Sequence, residues 1–163
     1  MQQILLAGGL AAAMAGLMWA GVSDLRRYRI PNRACGLVAG SYLLAAAGLP
    51  LGTWLAGAAA GFALLLVGVA LFSRGWVGGG DVKLAAAAAL WAGPGLLSNF
   101  AVVTAVSGAA LAAVLLSPAR RFFPRPPEPV AQDFRQPMPF GVPLALGGAC
   151  VCVVRLAPLL QGA

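Results

Sequence analysis

The sequence predicts an all-α membrane protein with six transmembrane helices, and three observations support this class. Hydrophobic residues make up 61% of the 163 residues and charged residues only 9%, far below the roughly 25% charged residues of soluble domains. Long stretches carry no charge, namely residues 2–23, 34–73, 84–117 and 136–154. Nearly every charge lies in the short segments between them. Because each stretch reaches the roughly 18 apolar residues that mark a membrane helix, we expect a polytopic bundle.

Two of these stretches are too long for one crossing, which needs about 20 residues. Glycine and proline clusters mark turns, so we divide them at Gly48-Leu49-Pro50-Leu51-Gly52 and at Gly93-Pro94-Gly95. The second and fourth spans that result are short, and we expect them to be tilted or to end near the interface. The chain 1–163 is predicted to be a single membrane domain with spans near 3–22, 34–48, 53–73, 82–97, 99–117 and 138–156.

The cations predict the orientation, because arginine and lysine are retained on the cytoplasmic side. Ten of the eleven follow the first, third or fifth span, and only Arg155 lies near the far end of the sixth. Both termini should therefore lie outside, with the three charged loops in the cytoplasm. A cleaved signal peptide has its positive charge before the apolar region. Here the charge follows it, so we expect the first span to be retained.

The net charge of +7 is compatible with nucleic acid or acidic partners. The arginines lie beside the spans, however, which favours roles as topology determinants and as contacts of lipid headgroups. We therefore expect the lipid bilayer as a partner and no nucleic acid. The proline-rich segment 118–137 is predicted to be a cytoplasmic loop, either partly disordered or a lid.

The inventory of reactive side chains excludes several kinds of site. The chain has no histidine, which excludes a Ser-His-Asp triad and the histidine-rich zinc sites of metalloproteases. Cys35, Cys150 and Cys152 form no Cys-x-x-Cys pair, which argues against a zinc ribbon. They are interpreted as small packing residues. No phosphate-binding loop of the Walker type occurs, and we expect neither a metal nor a cofactor.

The acidic residues are Asp24, Asp81, Glu128 and Asp133. Glu128 and Asp133 lie in the proline-rich loop, where a solvated role is expected. Asp24 and Asp81 each lie within a residue or two of a span, on the predicted cytoplasmic side. An aspartate at the centre of a membrane helix makes the free energy of insertion about 2.5–3.5 kcal/mol less favourable, and one near the interface costs less. A residue kept at such a cost is a candidate for function.

Each aspartate also has a simpler explanation when it is taken alone. Asp24 could pair with Arg26 and Arg27, and Asp81 could be the N-cap of the fourth span. Taken together on one membrane face, they suggest joint chemistry. Two carboxylates a few ångströms apart cannot both ionise easily, so they share a proton. One can then activate water as a general base while the protonated partner polarises a carbonyl, which hydrolyses a peptide without metal or covalent intermediate.

The residues around Asp81 are candidates for supporting roles. Gly78, Gly79 and Gly80 permit unusual backbone angles and leave no side chain in the way of an extended substrate. Lys83 is the only lysine, and two roles stay open for it. It could anchor the topology by snorkelling, or hold its ammonium over the site, where a cation within about 4–6 Å favours an ionised carboxylate. Positions two apart on a helix face different sides, so we expect no tight ion pair with Asp81.

Three motifs resemble those of the prepilin peptidases, membrane aspartyl proteases that are also called type IV leader peptidases. Residues 78–83, GGGDVK, are similar to the Gly-x-Gly-Asp-x-Lys motif of that family. Residues 24–32, DLRRYRIPN, resemble its aspartate with a basic stretch and Ile-Pro-Asn, and residues 139–147, PFGVPLALG, resemble the segment that opens its last span. The motifs cover essentially the whole chain. They make the following residues candidates for supporting or substrate-binding roles: Gly78, Gly79, Gly80, Lys83, Pro139, Phe140 and Gly141.

The resemblance implies that Asp24 and Asp81 are the catalytic pair of an aspartic endopeptidase. It implies removal of the N-terminal leader from type IV pilin-like precursors, on the cytoplasmic side of the inner membrane, as a step in pilus assembly and protein secretion. Long members of the family carry an extra cytoplasmic domain with paired Cys-x-x-Cys motifs and also N-methylate the product. Here only residues 24–33 join the first two spans. The chain therefore resembles the short form found with tight-adherence (Flp) pilus systems, and we do not expect N-methyltransferase activity.

Three alternatives stay open. Archaeal preflagellin peptidases share the Gly-x-Gly-Asp motif. A serine/lysine signal peptidase would use Lys83 as its base, with a serine nearby on the outer face, whereas Lys83 is predicted to be cytoplasmic. A non-enzymatic transporter or assembly subunit would use the aspartates to carry protons or to bind cations, and cleavage that persisted with both aspartates replaced would favour it.

Overall fold

The protein is helical almost throughout the residues that the structure, a computed structural model, describes: 1–122, 124 and 138–161. No strand occurs among these residues, so the all-α class is confirmed. Most of the predicted loop 118–137, with Glu128 and Asp133, lies outside them. The helices are α1 (Gln2–Arg27), α2 (Asn32–Leu44) continued by a 3-10 turn (Ala45–Gly48), α3 (Leu51–Ser73), α4 (Gly79–Leu116) followed by a 3-10 turn (Pro118–Phe122), and α5 (Gly141–Gln161).

Four of these helices, α1, α3, α4 and α5, are long and apolar enough to cross a membrane. Such helices are typical of a membrane protein. The predicted second span corresponds to α2, whose 13 residues fall short of the about 20 that a straight crossing needs. The predicted fourth and fifth spans lie in the two arms of α4. Six crossings and the orientation of the termini therefore stay predictions.

Helix α4 is interrupted at Gly93, within the predicted turn. Gly93 has a non-helical φ of 58° and ψ of −177°, a conformation that favours glycine, and Pro94 has no N–H to donate. The guanidinium of Arg155 in α5 donates to the carbonyls of Trp91 and Ala92, the last residues before the break. Carbonyls at a helix end need such outside donors. Arg155, which lies outside the charged loops, therefore binds the carbonyl groups at the break in α4.

The core lies between α1, α2, α4 and α5. Glycine lets α1 approach its neighbours closely, since a Cβ on Gly16 would lie 2.7 Å from Val38 Cγ2 on α2. The buried residues of α1 recur every three or four positions and so form one helix face. They are Gly9, Leu10, Ala13, Gly16, Leu17, Ala20, Gly21 and Asp24. Asp24 thus ends the buried face of α1, and its carboxylate lies among the helices.

Helix α3 packs mainly on α4. Its buried residues are Gly57 and Gly61, spaced as in the small-xxx-small pairs that bring membrane helices together. A Cβ on Gly61 would lie only 3.1 Å from the carbonyl oxygen of Ala86 on α4. Phe62, beside Gly61, is 61% exposed, and other large apolar side chains of α3 are exposed as well. Most of the α3 surface is therefore apolar and suited to lipid.

An aromatic cluster joins α2, α3 and α4 at the end of the bundle where α3 begins. Tyr42 stacks on Trp54 with ring centroids 6.0 Å apart, and Trp91 meets Tyr42 edge-on at 5.4 Å. The Tyr42 hydroxyl also donates to the carbonyl of Trp54 at 2.6 Å. Such contacts contribute roughly 0.5–1.5 kcal/mol beyond the area that they bury. The cluster therefore fixes α3 to α2 and α4 at this end.

Candidate active site

The three sequence motifs meet at one end of the helix bundle. Asp24 lies in the last turn of α1, Asn32 begins α2, Asp81 lies in the first turn of α4, and Gly141 begins α5. Ile30, in the connection between α1 and α2, lies between the starts of α4 and α5. Residues that are more than 100 positions apart in sequence are thus neighbours in the fold.

The carboxylate of Asp24 is buried and is held by α5. Asp24 is 5% exposed, and its Oδ2 accepts the backbone N–H of Gly141 at 2.7 Å. The first N–H groups of a helix lack intrahelical partners and carry the positive end of the helix dipole, which stabilises a negative charge. Among the described residues Asp24 forms no ion pair with Arg26 or Arg27, both of which are exposed. The ion-pair alternative is therefore wrong, because the buried carboxylate faces the bundle.

A side chain at position 141 would crowd this contact. A Cβ there would lie 2.9 Å from Asp24 Oδ2 and 2.8 Å from Ile30 Cδ1, closer than real side chains approach. Pro139, two residues earlier, is buried, and its carbonyl accepts the N–H of Val142 at 3.2 Å. The Pro-Phe-Gly segment is thus a tight entry into α5 that brings a backbone N–H onto Asp24.

Asp81 is the third residue of α4 and is partly buried. The N-cap of α4 is Gly78, so the alternative that Asp81 is itself the N-cap is wrong. The Asp81 carboxylate instead reaches back towards Gly78, since its Oδ2 would lie 3.0 Å from a Cβ there, and a third residue takes this position in a capping box. Its negative charge also suits the helix N-terminus.

The two aspartates lie close enough for their charges to repel each other. Ile30 packs between the segments that carry them. A Cβ on Gly80, next to Asp81, would lie 3.1 Å from Ile30 Cβ. A Cβ on Gly141, the residue that binds Asp24, would lie 2.8 Å from Ile30 Cδ1. The structure therefore brings together the two carboxylates that the sequence singled out. Two carboxylates that repel each other favour a state in which one of them is protonated.

An apolar cleft of about 120 Å³ adjoins Asp81. It is walled by α3, the start of α4 and the start of α5, and Asp81 is the one ionisable residue among its lining residues. Phe140, from the Pro-Phe-Gly segment, is also part of the lining. The cleft can therefore accept an apolar side chain beside a carboxylate.

The three glycines before Asp81 differ in their surroundings. A Cβ on Gly79 would lie 3.3 Å from the ring of Phe72, and one on Gly80 would lie 3.1 Å from Ile30. Gly78 is exposed and has φ −70° and ψ 143°, which other residues also adopt. Gly79 and Gly80 therefore allow close packing of α4, and only Gly78 is open to an approaching chain.

Lys83 faces away from Asp81, as expected for positions two apart on a helix. Its Nζ donates to the side-chain Oδ1 of Asn32 at 3.0 Å, and among the described residues it forms no ion pair. The bond ties the Gly-x-Gly-Asp-x-Lys segment to the Ile-Pro-Asn segment. The sequence analysis did not single out Asn32, although its place at the end of the Ile-Pro-Asn segment was a usable signal.

Tyr28 is a second residue that the sequence analysis did not single out. It caps α1 with a φ of 52°, which is uncommon for a residue other than glycine, and its N–H donates to the Asp24 carbonyl at 2.8 Å. Its hydroxyl donates to the carbonyl of Pro124 at 2.9 Å. Burial raises the pKa of Tyr28, the charge of Arg120 opposes this and that of Asp24 adds to it. The phenol therefore stays protonated and can donate.

A family model described as the type IV leader peptidase family matches residues 11–113. The matched segment is more than half of the chain and contains Asp24, Asp81, Asn32 and Lys83. The Pro-Phe-Gly segment lies beyond it. Comparisons with curated proteins and with solved structures give no significant match.

Proposed function

Because the chain belongs to the type IV leader peptidase family, we propose that it is an aspartic endopeptidase in which Asp24 and Asp81 form the catalytic pair. The observation that carries this proposal is the meeting of two carboxylates from separate helices, close enough to interact. Asp24 accepts the backbone N–H of Gly141 at the start of α5, and Asp81 lies in the first turn of α4. Each carboxylate is thus placed by a helix N-terminus, and catalysis by acids and bases requires such positioning.

The proposed reaction uses one proton shared by the pair. The ionised carboxylate takes a proton from water, and the resulting hydroxide attacks the scissile carbonyl carbon. The protonated partner donates to the carbonyl oxygen as the tetrahedral intermediate forms. The C–N bond then breaks as the leaving amine receives the proton that the first carboxylate took from water, and a hydroxyl of the intermediate returns a proton to the partner carboxylate. Either aspartate can serve as the base, since each carboxylate lies at a helix N-terminus, which favours its ionised form.

We propose type IV or Flp-like pilin precursors as the substrates, cut on the cytoplasmic side of the inner membrane. The charge distribution supports this side. The site lies at the end of the bundle where the basic α1–α2 connection and Arg74 are found, and cations are retained in the cytoplasm. The leader would then be cut just before an apolar helix, and the apolar cleft beside Asp81 could hold a side chain next to the scissile bond.

We do not expect N-methylation of the product. Helix α1 ends at Arg27 and α2 begins at Asn32, so this connection holds no further domain. The serine/lysine alternative is not favoured either, because Lys83 donates to Asn32 rather than to a serine. No observation favours a non-enzymatic proton- or cation-handling subunit or an archaeal-type preflagellin substrate over leader cleavage of pilins.

The experiment that tests the substrate is co-expression with candidate pilin precursors, scored by a leader-sized mobility shift and by the N-terminal sequence of the product. We expect one new N-terminus immediately before the apolar helix of the precursor. Unchanged migration of every type IV and Flp-like precursor tested would contradict the proposed substrate class.

A further inference from the structure

A second, larger cavity lies on the other side of the start of α4. It is an open groove of about 620 Å³ between α2 and α3, with α4 as its floor, and we call it the α2–α3 groove. Asp81 does not line it, whereas Lys83 and Asn32 do. The remaining lining residues are mostly small or apolar, among them Gly36, Ala39, Gly61, Phe62, Ala86 and Leu90.

The groove is closed at one end and open at the other. Where α2 ends and α3 begins, the Tyr42–Trp54 stack joins the two helices. Elsewhere α3 packs mainly on α4, and α2 packs on α1 and α4, so that α2 and α3 have few contacts with each other. The hydrogen-bonded side chains of Lys83 and Asn32 lie at this open end. The groove therefore begins beside the active site and runs along the bundle into the apolar region.

We propose that the α2–α3 groove receives the apolar helix of the substrate, the part of the precursor that follows the scissile bond. This inference rests on the proposed function, under which a leader is cut from the front of an apolar helix. The floor from Lys83 to Leu90 is about 10 Å long at 1.5 Å per residue, which is about two helical turns. The first turns of an incoming helix therefore match the groove in length.

The composition of the groove fits a helix that arrives from the bilayer. Without water to drive association, membrane helices associate where small residues let their backbones approach closely. Gly36 and Ala39 on one wall and Ala86 on the floor provide such a surface. Phe62, on the opposite wall, is 61% exposed, so the groove is open sideways to lipid.

Lys83 connects the groove to the catalytic pair. A lysine ammonium has three donors, and Asn32 accepts from one of them. The other donors can bind carbonyl oxygens where the substrate leaves its helix and becomes extended. From there the chain has to pass the exposed Gly78 to reach the cleft beside Asp81. Lys83 is thus a positioning residue at the junction of helix and scissile segment.

The test uses two glycines of α2 that are one turn apart. A Cβ at Gly36 or at Gly40 would meet no atom within 4 Å, so a side chain at either position starts in open space. Only Gly36 lines the groove, which makes Gly40→Leu the matched control for Gly36→Leu. Each variant is assayed on a full-length pilin precursor and on a soluble peptide that spans the cleavage site but lacks the apolar helix.

We expect Gly36→Leu to raise KM for the full-length precursor at least tenfold and to cleave the soluble peptide at the wild-type rate. Gly40→Leu should cleave both substrates at the wild-type rate. Equal KM values of the two variants for the precursor would overturn the groove proposal. The proposal would also be overturned if the effect of Gly36→Leu on KM disappeared in lipid-free detergent, because the groove would then be a site for lipid. If the unchanged enzyme cleaved neither substrate, the proposed function would fall, and the groove proposal with it.

Discussion

The backbone N–H of Gly141 donates to the Asp24 carboxylate at 2.7 Å, which binds the first turn of α5 to the end of α1 inside the site. This contact gives the Pro-Phe-Gly segment a physical role. It carries no ionisable group, yet it determines where one of the two carboxylates lies. Positioning of this kind has large effects, since a misplacement of 1 Å can cost about 10²-fold in rate.

Replacing Gly141 with alanine should therefore reduce cleavage strongly while the protein stays folded. The new Cβ would lie 2.9 Å from Asp24 Oδ2, so the carboxylate or α5 has to move. We expect kcat/KM for a pilin precursor to fall at least tenfold, which corresponds to about 1.4 kcal/mol. Gly40→Ala, at a glycine with open space around it, is the control. Cleavage by Gly141→Ala at the rate of Gly40→Ala would show that the contact is not needed.

The Lys83–Asn32 bond should matter for activity more than for insertion. We expect Lys83→Gln to reduce cleavage strongly and Lys83→Arg to reduce it partly, because arginine keeps the charge but differs in shape and reach. Asn32→Leu should resemble Lys83→Gln, since it removes the acceptor of the bond. All three variants should insert into the membrane normally, because Arg74 still marks the connection between α3 and α4 as cytoplasmic. Full activity of Lys83→Gln would reduce Lys83 to a topology anchor.

Arg155 should stabilise the fold rather than take part in the chemistry. Its guanidinium donates to the carbonyls of Trp91 and Ala92 at the break in α4, and leaving a buried acceptor unsatisfied costs about 1–3 kcal/mol. We expect Arg155→Gln to lower the temperature of thermal unfolding in detergent by several degrees, and Arg155→Lys to lower it less. The exposed Arg27→Gln is the control. An unfolding temperature of Arg155→Gln equal to that of the control would contradict the role.

Labelling of single cysteines should place residues 26–33 and 74–83 in the cytoplasm and residues 49–52 and 93–96 outside. The reason is the retention of cations on the cytoplasmic side. The measurement compares a membrane-permeant with an impermeant thiol reagent in intact cells, on a chain from which Cys35, Cys150 and Cys152 have been removed. Labelling of residue 79 from outside would reverse the topology and separate the site from a cytoplasmic leader.

Local patterns predicted the helices and the break at Gly93 well, because apolar length and glycine–proline clusters act through the nearest neighbours in sequence. The pair Asp24 and Asp81 was also predictable, since charge is rare in this chain. Contacts between distant segments were not. The donation from Arg155 to the break depends on how α5 packs against α4.

The same limit applies within the site. The positive φ of Tyr28 is set by the turn between α1 and α2, and nothing about a tyrosine in a basic stretch predicts it. The bond from Lys83 to Asn32 requires α2 and α4 to begin side by side. The sequence could place each of these residues at a helix end, but only the packing of the helices shows which side chains meet.

The most direct measurement compares cleavage of a pilin precursor by Asp24→Asn and Asp81→Asn with cleavage by Glu128→Gln and Asp133→Asn. An amide has nearly the shape of a carboxylate but cannot act as a general base, and loss of such a group costs about 10²–10⁴-fold. The account predicts that each aspartate variant at the site loses cleavage at least 10²-fold while remaining folded in the membrane. The two loop variants, which replace the other acidic residues of the chain, should cleave nearly normally. Near-normal cleavage by either Asp24→Asn or Asp81→Asn would contradict the two-aspartate mechanism.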